Sequence, residues 1–209
     1  MPSQLLFLPG ALGRTQFWQP VANLLVYPGT RFHFGWPGFG DLPPDPRVNG
    51  IDDLVAKVVA KIDRPTVLIA QSMGGVIALR AALEKPGLVT HLVLAATSGG
   101  IDVAALGGQD WRPAFHAANP FLPDWFSTEQ EDLTPRISTL RIPTLLLWGD
   151  ADPISPVSVG QRLRSLLPCA TLEVIRGGDH GVANTEAGVI APLIDHHLSP
   201  ATEARSPDR

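Results

Sequence analysis

The chain has 209 residues, 44% of them apolar, which suits one compact domain with a substantial core. A formal net charge of -4, with no long run of like charge, excludes the basic footprint of a nucleic-acid binder or a binder of anionic membranes. One cysteine, Cys169, excludes an internal disulfide and fits a reducing compartment; it reads as a small apolar filler near a strand.

The N-terminal stretch MPSQLLFLPG has no basic region and only a brief apolar run. It is too short for a signal peptide or a membrane span, so a cytoplasmic protein is expected. Near-continuous apolar runs then recur at Gln4–Leu8, Arg31–Phe34, Thr66–Ala70, His91–Ala96, Thr144–Trp148 and Thr171–Ile175. Strands covered by helices on both faces read this way. Between them, helices are predicted over Gln16–Val26, Ile51–Ile62, Met73–Glu84, Val157–Leu167 and Ala187–Leu198. In the second of these, Ile51, Leu54, Val55, Val58, Val59 and Ile62 recur at helical spacing. This alternation predicts an α/β fold with a parallel sheet of about six strands.

Residues 101–139 interrupt the pattern with four prolines (113, 120, 123, 135) and the aromatics Trp111, Phe115, Phe121, Trp125 and Phe126. Disordered segments are poor in aromatics, so this stretch reads as a short cap insertion of small helices over the carboxyl end of the sheet. The expected organisation is one domain over 1–198 and a frayed polar tail over 199–209.

Chemistry concentrates at Ala70-Gln71-Ser72-Met73-Gly74-Gly75, where a predicted strand ends and a predicted helix begins. A sharp strand-to-helix turn lifts a serine hydroxyl above the sheet edge and requires small residues two positions to either side. Ala70 and Gly74 meet that demand, Ala70 replacing the first glycine of Gly-x-Ser-x-Gly. The plain alternative is a serine that caps a helix.

The chain resembles the α/β-hydrolase superfamily over nearly all its length. The resemblance rests on Leu8-Pro9-Gly10-Ala11-Leu12-Gly13, Trp36-Pro37-Gly38-Phe39-Gly40, the Ser72 turn, Trp148-Gly149-Asp150-Ala151-Asp152-Pro153-Ile154 and Gly177-Gly178-Asp179-His180-Gly181, in the family's order. It implies a nucleophile at Ser72, a base at His180 after the last strand, and an orienting acid. Gly-x-x-Asp selects Asp152 for the acid, leaving Asp150 to brace the loop; Asp102, after the fourth strand, is a further candidate. The implied oxyanion hole uses the backbone N–H groups of Met73 and Ala11, with Leu12 as the alternative to Ala11. The antiparallel hairpin that opens larger members is expected to be absent, since the first strand starts at Gln4.

The resemblance implies a carboxylic ester hydrolase resembling small serine esterases, without metal or organic cofactor. Its substrate is a small-molecule ester or acyl compound, a thioester included, and an acyl carrier is a candidate partner. Leu12, Trp18, Trp111, Phe115, Phe121 and Trp125 are candidates for an apolar substrate pocket, each with core packing as the alternative. Two readings stay open beside the esterase: a C–C bond hydrolase or lyase on the same scaffold, and a small-molecule receptor of this fold.

Overall fold

A computed structural model describes residues 2–40, 42–123, 125–128 and 131–199. Six strands form one sheet: β1 (Gln4–Leu8), β2 (Thr30–His33), β3 (Thr66–Gln71), β4 (Val89–Ala95), β5 (Thr144–Gly149) and β6 (Ala170–Ile175). Their order is β2-β1-β3-β4-β5-β6, and every pairing is parallel. The expected tail over 199–209 lies, apart from Ser199, outside the described residues.

The continuous apolar runs have a simple cause. Alternate residues of a strand point to opposite faces, and both faces are covered. Leu6, Leu8, Leu68, Ala70, Leu92, Leu94, Leu146 and Trp148 join one buried cluster. Leu5, Phe7, Val67, Ile69, Val93, Ala95, Leu145 and Leu147 join the other. Helices α2 (Ile51–Lys61), α3 (Met73–Glu84) and α7 (Val157–Leu166) supply side chains to the first cluster. Helices α1 (Gln19–Leu24), α8 (Val182–Thr185) and α9 (Ala187–Leu198) supply the second. The edge strands β2 and β6 expose Arg31 and Glu173, charges that blunt an open sheet edge.

Two local expectations shift. Helix α1 is shorter than the predicted 16–26 because Pro20 sits in its first turn and the chain turns extended at Leu25. The Arg31 guanidinium closes its end, donating to the carbonyls of Ala22 (2.6 Å) and Leu25 (2.8 Å). Cys169 is exposed rather than a filler.

Between β4 and β5 lie a 3₁₀ turn (Ala104–Leu106) and the short helices α4 (Arg112–Ala118), α5 (Trp125–Thr128) and α6 (Thr134–Ile137). Pro113 and Pro135 stand in the first turns of α4 and α6, where a missing N–H costs nothing. Phe39, after β2, meets Trp125 and Phe126 edge-on at 5.5 and 5.3 Å, and Leu133 and Ile137 are fully buried. Glu131 accepts from Arg80 of α3 (3.2 Å) and from Arg136 of α6 (2.8 Å), tying this insertion to the main body.

Candidate active site

The chain leaves β1 toward β2 on one side, then returns to place β3 on the other. The carboxyl ends of β1 and β3 therefore flank a topological switch point, where open α/β sheets leave a crevice. Pro9-Gly10 follows β1 and Ser72 follows β3.

Ser72 has φ 52° and ψ -122°, a conformation L residues rarely adopt. Such strain costs on the order of 1–3 kcal/mol and persists only where surrounding bonds enforce it. Here the Ser72 N–H donates to the Ala95 carbonyl (3.0 Å). Its carbonyl accepts from the Gly75 N–H (2.9 Å) and the Thr97 hydroxyl (2.6 Å). Gly74 packs so closely on the preceding loop that a Cβ there would lie 2.5 Å from the Pro9 carbonyl oxygen. Ala70 is fully buried, its methyl absorbed by the core.

Behind the turn, two loops are stitched together. The Asp150 N–H donates to the Ile175 carbonyl (3.2 Å) and the Ala151 N–H to the Gly178 carbonyl (2.9 Å). Asp150 is exposed, and its Oδ1 accepts from the Gly177 N–H at 2.5 Å. Asp152 is 4% exposed. Its Oδ1 accepts from the N–H groups of Ile154 (2.8 Å) and Ser155 (3.1 Å), which leaves Oδ2 facing His180 Nδ1 at 2.8 Å. His180 Nε2 lies 3.0 Å from Ser72 Oγ. Asp102 takes another position: its Oδ1 accepts from the Ala105 N–H and starts the 3₁₀ turn.

Backbone donors lie at the start of α3 and in the loop whose Gly10 packs against Ser72. Met73 opens α3, so its N–H has no carbonyl partner within the helix. The Gly13 N–H closes a turn onto the Gly10 carbonyl (3.0 Å), which leaves the central N–H groups, those of Ala11 and Leu12, outside the turn's own bond. Indoles brace this loop: Trp18 Nε1 donates to the Leu8 carbonyl (2.9 Å), and Trp36 Nε1 to those of Pro9 and Gly10 (both 3.1 Å).

The pocket candidates divide. Trp18 is 1% exposed and packs in the cluster with Phe7 and Val21, so it is a core and bracing residue rather than a pocket wall. Trp111, Phe115 and Trp125 pack partly buried in the cap cluster around Phe126. Leu12 and Phe121, the latter 96% exposed, line a groove of about 340 Å³ with Arg14, Gly40 and Ala118 to Leu122. Trp36 and Gln71 stand inside motifs that carry the resemblance but have no individual role there, and their signal is an indole or polar side chain among small and apolar residues; Thr97 lies outside those motifs.

Residues 5–126 match the model of the alpha/beta hydrolase family, more than half of the chain. The chain belongs to the alpha/beta hydrolase family. It is 39% identical, over 78 residues, to a protein of Synechocystis sp. named "Putative non-heme chloroperoxidase", a match covering 37% of this chain and 27% of that one. It is 26% identical to the "Uncharacterized hydrolase YugF" of Bacillus subtilis, covering 63% of this chain and 64% of that one. The chain thus spans less than two thirds of the length of these curated relatives. Among solved structures, a lipase-esterase related protein from Clostridium acetobutylicum superposes with a TM-score of 0.73 at 17% identity, covering 94% of this chain and 95% of that one. At that identity the likeness concerns the fold.

Among the described residues no helix is long and apolar enough to cross a membrane, and no three His, Cys, Asp or Glu side chains gather as a metal site.

Proposed function

We propose that this protein is a serine hydrolase that cleaves a carboxylic ester or thioester of a small or acyl-chain substrate. One observation carries the reading. Asp152, His180 and Ser72 form a continuous relay, 2.8 Å and then 3.0 Å, ending on a serine held at positive φ. A capping serine needs no such partner. None of the helix start at Met73 is capped by the Ser72 side chain either.

In this mechanism His180 Nε2 takes the hydroxyl proton as Ser72 Oγ attacks the carbonyl carbon. Asp152 holds the imidazole in the tautomer that accepts it. The N–H groups of Met73 and Ala11 receive the developing oxyanion. His180 then protonates the departing alcohol or thiol. Water repeats the sequence, with His180 as base, and releases the acid. The groove beside Leu12 and Phe121 is the proposed entry for the substrate's apolar part, and a carrier-bound acyl chain is a candidate partner.

A fluorophosphonate probe and nitrophenyl esters and thioesters of graded length test the reading. The native protein should label and turn over, and Ser72→Ala should do neither. Full activity in Ser72→Ala would sink the proposal.

A further inference from the structure

Gln71 ends β3 immediately before the nucleophile and is 5% exposed. Burying a primary amide is costly unless its groups find partners. Its Nε2 donates to the main-chain carbonyl of His180 at 3.1 Å, across 109 positions of sequence. Its Oε1 lies against Gly10, so that a Cβ built there would be 2.3 Å from it; the same Cβ would be 3.1 Å from Ser72 Cβ. The side chain therefore spans from the loop after β1 to the loop after β6.

Without it, the histidine loop is held mainly by bonds of its own and by the stitch to β5. The Gly178 N–H reaches Ile175 (3.2 Å), the Val182 N–H reaches Asp179 (3.1 Å), and Gly178 accepts from Ala151 (2.9 Å). These bonds, and Asp152 on Nδ1, fix His180 relative to β5 and β6. Toward β3, which carries Ser72, they act only through the sheet; the direct ties are the bond from the ring to Ser72 Oγ (3.0 Å) and, on the main chain, the Gln71 amide.

We infer that Gln71 is a positioning residue: it locks the His180 main chain to the nucleophile strand and sets the spacing of the Gly10–Ala11 loop. The inference rests on the acyl-transfer reading above. It assigns Gln71 no contact with substrate, so its loss should lower the chemical step and leave binding nearly intact. Misplacement of a base by about 1 Å costs roughly 100-fold in rate.

Gln71→Met keeps the length and removes the donor. Gln71→Glu keeps the shape and sets a carboxylate oxygen against the His180 carbonyl. Gln71→His returns an N–H at similar reach. For each, kcat, KM and the thermal midpoint are measured on a nitrophenyl ester. The expected result is a kcat about 10- to 100-fold lower for Met and Glu, KM within about 3-fold, and substantial recovery of kcat in His. Native kcat in either Met or Glu, or equal losses in Met and His, would overturn the inference. Should Met fail to fold, the isosteric Glu variant carries the test. Failure of the native protein to label or turn over would instead remove the acyl-transfer reading itself.

Discussion

Asp150 and Asp152 are two residues apart, and their surroundings give them different work. Asp150 is exposed and braces Gly177. Asp152 is buried, with one oxygen held by two backbone N–H groups and the other on His180. Under the proposed mechanism, Asp152→Asn should lower kcat by about 10³- to 10⁴-fold, because an amide can donate to the imidazole and select the wrong tautomer. Asp150→Asn, which still offers a carbonyl to Gly177, should stay within about 10-fold. Steady-state kinetics on one ester decides between them; a larger loss at Asp150 would reverse the assignment. Trp36 acts at the same scale. Trp36→Phe removes the indole donor from the Pro9 and Gly10 carbonyls, and should destabilise by about 1–2 kcal/mol in urea melts. It should also slow fluorophosphonate labelling, because the loop proposed to carry an oxyanion donor loses its brace. Unchanged labelling would show that the loop holds itself.

At the scale of elements, the insertion between β4 and β5 is anchored by aromatic contacts more than by helical regularity. Its helices run four to seven residues, too short to be stable alone. Phe126, 6% exposed, touches Phe39, Trp111, Phe115 and Trp125. Phe126→Ala should cost about 3–5 kcal/mol of packing. If the insertion melts with the domain, the thermal midpoint falls by roughly 2–4 °C per kcal/mol. An unchanged midpoint, with altered KM, would show that the insertion opens independently of the core. The sequence displayed the aromatics and prolines of this segment. It did not display Phe39 as their partner, because that contact joins segments about ninety residues apart.

For the whole molecule, acid stability should depend on α9 against β4. His197 meets His91 edge-on at 5.3 Å, and neither His197 Nε2 nor His91 Nδ1 has a hydrogen-bond partner among the described residues. Burial, aided by the neighbouring His91, pushes the His197 pKa down to about 4, and burial lowers His91 in the same direction. Unfolded, each titrates near 6.5. As pH falls from about 6.5 to about 4, the unfolded chain takes up protons that the folded one refuses, so stability declines across that window. His197 contributes at most about 3 kcal/mol, less because solvent still reaches it. Urea melts at graded pH should show a flatter acid limb for His197→Gln than for the native chain. Parallel limbs would remove His197 as the cause.

The strand runs, the main helices and the Ser72 turn were legible in the sequence because their causes are local. Two covered sheet faces demand mostly apolar residues along the inner strands, and a tight turn demands Ala70 and Gly74 beside its serine. The spacing around Asp152 is local as well. What joins Ser72 to its surroundings depends on strand order. Because β2 lies beside β1, Trp36 comes up against the carbonyls of Pro9 and Gly10, and Trp18 is drawn beneath β1 rather than into a pocket. Because β1 and β3 are neighbours, Gln71 fits between Gly10 and His180. No spacing rule encodes such contacts. They arise when the chain crosses from one side of the switch point to the other and brings distant loops to one edge of the sheet.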